Sequence, residues 1–305
     1  MKMKNIISVF IIILISVSSV IAQNDAQMSH YMFNKMSYNP AFAGSNGLIN
    51  ASLLHRQQWA GFTDAPSTQF LMGDMMLPRI GGLGLSIVND KLGFEQALNL
   101  RLMYAYHYKL SDDLDISAGL GVGFMNKSLD GSKLIYENMN DVNALLNKES
   151  ELNPNIDFGI AAKYQDLTLG LSFTQINQSN AKATFSKPPR HFYAYAAYEY
   201  ALNEQIDIIP SLYFKNSTFI SQTEINVLGM YEERFWGGLS YRVQESVVIL
   251  LGLNVVNGIR LGYSYDLNTG PVKSHSGGSH EIMIMASFEK PQKAHIQYRT
   301  PRIFN

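Results

Sequence analysis

The chain has 305 residues, of which 46% are hydrophobic and only 16% charged, and it contains no cysteine. Soluble domains carry about 25% charged residues; scarce charge with ordinary hydrophobicity argues against a disordered chain, and the missing cysteine excludes disulfides, thiolate metal sites and a cysteine nucleophile. Lys plus Arg is 24 against 25 for Asp plus Glu, so no basic excess points to nucleic acid.

Lys2 and Lys4 precede a mostly apolar run from Ile6 to Ile15, then serines and Val20-Ile21-Ala22. A positive start, a greasy middle and a small residue at the cut predict a secretory signal peptide over residues 1–22. Beyond it the longest unbroken apolar stretch, Val247 to Leu251, falls far below the roughly 20 residues a spanning helix needs. The chain is therefore expected to be exported, with no helix holding it in a bilayer.

The body alternates with a period of two. From Leu98 to Leu110 one face carries Leu98, Leu100, Leu102, Tyr104, Tyr106, Tyr108 and Leu110, and the other Asn99, Arg101, Met103, Ala105, His107 and Lys109. Only a strand sorts residues that way. The same reading predicts fourteen strands, near 47–59, 66–77, 81–89, 94–110, 113–126, 153–165, 167–175, 189–202, 205–215, 222–231, 234–243, 246–254, 258–267 and 280–290. Pro210 weakens the ninth by removing a ladder donor.

A soluble β-sandwich and a closed barrel with its apolar side in lipid both fit many alternating strands. The connections decide between them. Long ones are expected after strands five (Lys127 to Leu152), seven (Ile176 to Pro188), nine (Asn216 to Ser221) and thirteen (Asn268 to Ser279), all odd-numbered. Those after even-numbered strands are short, such as Ser111-Asp112-Asp113 and Gln165-Asp166. Odd and even connections of an up-and-down barrel lie on opposite rims, and outer-membrane barrels have short periplasmic turns and longer outer loops. The expected fold is an antiparallel transmembrane β-barrel of about 14 strands, with residues 23–46 as a periplasmic or lumenal segment, 47–290 as barrel and 291–305 as a periplasmic tail. Its inner face would mix charges that pair with one another, Lys109 facing Asp115 across the ladder.

No enzymatic constellation stands out. The seven histidines form no helical ligand pair, His275 and His280 share a loop better read as merely exposed, and Gly81-Gly82-Leu83-Gly84 has no phosphate-binding lysine after it. No catalytic residue, metal or cofactor is expected.

The N-terminal stretch is more specific. Gln27-Met28-Ser29-His30-Tyr31-Met32-Phe33-Asn34 leads into Tyr38-Asn39-Pro40-Ala41-Phe42-Ala43-Gly44-Ser45, then Arg56-Gln57-Gln58-Trp59-Ala60-Gly61-Phe62 and Ala65-Pro66-Ser67-Thr68-Gln69. Asn89-Asp90-Lys91-Leu92-Gly93 follows, and the chain ends on Thr300-Pro301-Arg302-Ile303-Phe304. In order and spacing these pieces resemble the PorP/SprF family of Bacteroidetes outer-membrane barrels. The resemblance implies a non-enzymatic component of the type IX secretion system, acting with its periplasmic ring and lipoprotein parts. It further implies support for secretion or surface attachment of large proteins bearing a C-terminal sorting domain, such as gliding adhesins.

Elementary chemistry suggests where partners touch. Pro40 pushes Asn39 to an extended conformation and Gly44 permits positive φ, so Tyr38 to Ser45 read as a shaped segment: a lumenal plug, a dock for a periplasmic partner, or a strap over the barrel opening. Arg56, Gln57 and Trp59 fall at the outer end of the first strand with Gly61 and Phe62 in the turn, a rim suited to an exported domain, although Trp59 alone also suits an interface anchor. Asp141 to Leu152 is expected to form a short helix within the largest outer loop. A solute-conducting channel is the rival function.

Overall fold

Every second side chain of each long segment is apolar, and a sheet that closes on itself lets all of these face lipid while each backbone group finds a partner. The computed structural model describes residues 25–134, 146–177, 188–217, 220–255, 258–270 and 276–289. Its strands are β1 (Ile49–Gln57), β2 (Ser67–Leu77), β3 (Gly81–Leu92), β4 (Glu95–Lys109), β5 (Leu114–Asp130), β6 (Lys148–Tyr164), β7 (Leu167–Thr174) and β8 (His191–Tyr198). After the two-residue β9 (Tyr200–Ala201) come β10 (Ile206–Ser217), β11 (Ser221–Tyr231), β12 (Phe235–Arg242), β13 (Ser246–Val255), β14 (Ile259–Asn268) and β15 (Ser279–Phe288). β9 continues β8 past Glu199 along the same neighbour, so the wall has fourteen staves. Neighbours in sequence pair antiparallel all the way round, and β1 closes the barrel on β15 from Ile49 opposite Phe288 to Gln57 opposite His280.

The alternation resolves as expected. On β1, Asn50, Ser52, Leu54 and Arg56 are buried inward while Leu53 and His55 are exposed outward. Leu102, Leu120, Val122, Leu239 and Leu251 are more than half exposed, which in a barrel of this polarity makes them the lipid-facing surface. Outward tyrosines gather where strands meet short turns (Tyr108, Tyr164, Tyr198, Tyr200 and Tyr231), the girdle expected at a membrane interface.

Turn lengths hold their parity, with one of the expected long connections short. Connections at one rim (residues 78–80, 110–113, 165–166, 202–205, 232–234 and 256–258) are short, and the long ones (58–66, 131–147, 175–190 and 269–278) all lie at the other. The connection after β10 is only 218–220, because Asn216 pairs with Ser221 and the ladder runs to its end. The expected helix is also overturned over its last residues: Lys148 to Leu152 open β6, each paired with β5, as in Asn126 opposite Leu152. Leu146 and Asn147 are not helical either, and Asp141 to Leu145, like residues 1–22 and the tail from 290, lie outside the described residues. Lys109 does stand opposite Asp115, yet its ammonium reaches Asp112 instead, at 3.2 Å.

Residues 25–46 do not hang below the barrel. They run inside it, from the long-loop end (Asp25 against His191, at the start of β8) to the short-turn end (Gly44 against Asp74). Gly119, Gly159 and Gly170 of β5, β6 and β7 make a bare patch of wall against which Asn39, Pro40 and Phe42 lie. A methyl group on Gly119 would strike the Pro40–Ala41 backbone, which has nowhere to retreat. Gly119→Ala is therefore expected to cost about 1–3 kcal/mol through overpacking, read as a lower melting temperature of the heat-modifiable gel band and as new trypsin cleavage at Lys35.

Candidate functional site

A segment threaded through a low-dielectric shell must have its backbone polar groups satisfied by the wall. Asn39 has the short carboxamide and the extended backbone (φ −142°, ψ 108°) to do this at both ends. Its Nδ2 donates to the carbonyls of Ile160 (3.0 Å) and Leu171 (3.2 Å), while its Oδ1 accepts from Ala41 N (2.9 Å) and caps the 3-10 turn Pro40–Phe42. Ser172 donates to the Tyr38 carbonyl (2.6 Å) and Ser117 to that of Ala41 (2.9 Å). His107 Nε2 lies 2.8 Å from the Ala43 carbonyl. Gly44, at φ +69°, turns its N–H onto Asp74 (2.7 Å) and delivers the chain to β1.

The aromatic rings of the segment pack on inward tyrosines. Tyr31 stacks on Tyr213 of β10 with centroids 4.6 Å apart, and Tyr38 meets Tyr213, Tyr193 and Tyr195 at 5.0–6.0 Å. Near the long-loop end lies a compact charge cluster. The backbone N–H groups of Ser29 and His30 each donate to the Glu281 carboxylate at 2.8 Å, and His30 Nδ1 lies 2.6 Å from it. Arg56 bridges Asp266 (2.7 Å), Glu281 (3.4 Å) and the Ser29 hydroxyl (2.9 Å). Arg242 joins Glu224 (2.9 Å), Asp266 (2.9 Å) and Glu245 (3.1 Å), and Ser240 donates a further short hydrogen bond to Glu224. Arg56, Arg242, Glu224, Asp266, Glu281 and His30 are all at most 1% exposed. Five strands (β1, β11, β12, β14 and β15) thus converge on two residues of the segment.

A second anchor holds its start. Asp25 N donates to His191 Nε2 (3.2 Å), Tyr193 donates to the Asp25 carboxylate (2.8 Å), and Lys215 donates to the Asp25 carbonyl (3.1 Å). Arg101, paired with Asp157 at 3.3 Å, donates to the Ser37 carbonyl at 2.7 Å.

Of the sequence-predicted partner residues, Tyr38, Asn39, Pro40 and Gly44 come together as the lumenal plug, the first of the three readings of that stretch. Arg56 is not on the rim: strand alternation turns it inward, into the charge cluster. Gln57, half-buried, donates to the Pro66 carbonyl (3.3 Å). Trp59 (φ +47°), Gly61 (φ +99°) and the exposed Phe62 do form the β1–β2 turn, with the Trp59 and Phe62 rings 6.4 Å apart. His280 is a strand residue beside the Tyr263 hydroxyl (2.8 Å), while His275 lies outside the described residues. Sequence reasoning missed Ser29, His30 and Glu224 as functional positions. The signal was a polar, unpatterned Gln27–Asn34 stretch preceding a barrel whose inner face already carried Arg242, Asp266 and Glu281.

Towards the short-turn end the segment stops filling the lumen. A cavity of about 740 Å³ remains there, walled by the plug from Met32 to Asn46 on one side and by inward residues of β1, β2, β7, β8, β10, β11, β13, β14 and β15 on the other.

A closed barrel with an outward apolar face agrees with the sequence comparison, which finds a membrane-protein family. The model of the family described as type IX secretion system membrane protein PorP/SprF matches residues 20–285. The chain belongs to that family. As a family member it is a membrane component of the type IX secretion system, built as an outer-membrane-type barrel. No curated protein matches it in sequence. Among solved structures it is similar to the Ralstonia pickettii toluene transporter TbuX, with 11% identity over 83% of this chain and 92% of that one and a TM-score of 0.52. A Pseudomonas aeruginosa FadL homologue gives 11% identity over 79% and 89%, with a TM-score of 0.45. At that identity the TbuX likeness speaks for the fold alone.

Because Arg242 is the arginine that pairs with Glu224 in a dry site, Arg242→Met should destabilise the closed plug by about 3–5 kcal/mol by stranding Glu224 and leaving Asp266 with Arg56 alone. Adding Glu224→Leu should recover part of that loss. Limited trypsinolysis at Lys35, followed over time in detergent, measures both.

Proposed function

We propose that this barrel is a non-enzymatic anchoring component of the type IX machine, supporting the secretion or surface attachment of large exported proteins such as gliding adhesins. Its partners would be the periplasmic ring and lipoprotein parts of the machine, and a large secreted protein with a C-terminal sorting domain. Family membership supplies the system. The observation that carries the reading is the plug: residues 25–46 block the long-loop half of the lumen and are tied to nearly every face of the wall. A conduit for bulk solute has no use for such a stopper, whereas a receptor or anchor profits from a rigid interior and exposed rims. The β1–β2 turn with Trp59, Gly61 and Phe62 is the described outer surface best suited to a partner, with Phe62 the exposed apolar contact.

The rival reading, a solute channel, is separated from this one by conductance and by phenotype. Purified wild-type barrel in a planar bilayer should show no steady, wide conductance, whereas Arg56→Ala combined with Arg242→Ala should produce large, long-lived openings. Deleting the gene should leave uptake of small solutes unchanged and remove a large protein from the cell surface. Normal surface display with impaired nutrient uptake would favour the channel instead.

A further inference from the structure

The cavity at the short-turn end is lopsided in charge. It carries five carboxylates, Asp74, Asp166, Glu199, Asp207 and Glu233, against two cations, Lys35 and Arg260. Both cations are engaged with other groups. Arg260 lies 4.3 Å from the Phe33 centroid and donates from Nε to Asn254 (2.7 Å), and Lys35 lies 5.4 Å from the Phe42 centroid. Among the described residues none of the five carboxylates has a cation within ion-pair distance. Four of them form one arc of the mouth: Asp166 in the β6–β7 turn, Glu199 between β8 and β9, Asp207 on β10 and Glu233 in the β11–β12 turn. Glu199 N donates to the Asp166 carbonyl (3.0 Å), which holds two of these acids side by side.

The wall of the cavity supplies a second, independent observation. Asn226 of β11 and Ser52 of β1 face inward and line it, 1% and 5% exposed. Among the described residues neither Asn226 Oδ1 nor Ser52 Oγ has a hydrogen-bond partner. A buried acceptor left without a donor is costly, so both positions favour a ligand that brings N–H groups. Met36, Met72 and Met230 add a soft lining that adapts to aliphatic chains. At about 740 Å³ the space has the size of a small-ligand pocket and is too small for a folded domain. Carboxylates at the mouth, thioethers along the lining and unmet acceptors on the wall select one chemistry. We infer that the cavity is a docking pocket for a short, extended, basic peptide segment of a periplasmic protein. Its lysines or arginines meet the acidic arc, its apolar side chains lie among the methionines, and its N–H groups reach Asn226. Short turns mark the periplasmic side of such barrels, so the segment enters from there. This deepens the role proposed above, and rests on it only for where the partner resides.

The test titrates a fluorescent Lys-Leu-Lys-Leu-Lys peptide onto the full-length barrel in zwitterionic nanodiscs, with empty nanodiscs as blank and a Glu-Leu-Glu-Leu-Glu peptide as control. Anisotropy should show saturable binding of the basic peptide and none of the acidic one. Glu199→Gln with Asp207→Asn should weaken binding about tenfold. Asn226→Leu, which keeps the side-chain size but removes the acceptor, should weaken it about fivefold. Asp112→Asn with Asp113→Asn, on the same rim but outside the cavity lining, should change it by less than about twofold. The heat-modifiable gel band verifies that each variant is folded. A benzophenone in place of the peptide's central lysine should crosslink to Met72 or Met230. Equal binding of the acidic peptide, an affinity indifferent to both cavity variants, an equal loss from the Asp112 and Asp113 changes, or crosslinks confined to the lipid-facing surface would overturn the proposal. Failure of peptide binding leaves the gene-deletion phenotype untouched, and a normal surface display after deletion leaves peptide binding untouched, so the two readings fail separately.

Discussion

A fourteen-stranded wall encloses more space than its own inward side chains can fill. About eight strands leave an interior just wide enough for side chains, and roughly sixteen or more leave a water channel. This chain lies between, and it meets the constraint by sending residues 25–46 up the middle before β1 begins. The bare glycines at 119, 159 and 170 follow from that: where a backbone passes close to the wall, the wall must give up its side chains. So do the inward tyrosines at 193, 195 and 213, which supply broad apolar faces against the opposite side of the plug.

Charge at this depth has a second consequence. A buried ion pair adds little net stability over a well-packed apolar substitute, yet losing one partner is severely destabilising. The cluster around Arg56 and Arg242 therefore reads as a device for register and position rather than for strength. Glu281 accepts two consecutive backbone N–H groups, from Ser29 and His30, an arrangement met only if the segment stops at one particular place. Asn39 does the same from the other side by reading the carbonyls of paired residues on β6 and β7.

Strand number, the parity of long and short connections and the lipid-facing residues were all legible in the sequence, because period-two alternation and turn residues are local signals. Pro40 and Gly44 likewise announced an extended Asn39 and a left-handed turn, both of which hold. What could not be read is long-range. Arg56 beside Gln57 and Trp59 looks like a polar rim; alternation along β1 turns it inward, but only the register of β1 against β15, which sets Arg56 opposite Glu281, reveals its partner. The helix expected from Asp141 to Leu152 is overturned from Lys148 onward for a related reason: pairing with β5 overrides local propensity there.

The contrast between the two ends of the lumen bears on how such a barrel can be gated. Opening the long-loop end requires that Ser29 and His30 leave a dry cluster, exposing several charges at once to a medium that solvates them poorly unless water floods in behind. That step is all-or-none and unsuited to frequent use. The short-turn cavity already holds unpaired carboxylates next to solvent, so ligands of opposite charge can exchange there with little reorganisation. The interior is divided accordingly, with a fixed stopper in the long-loop half and an open acidic cavity in the short-turn half.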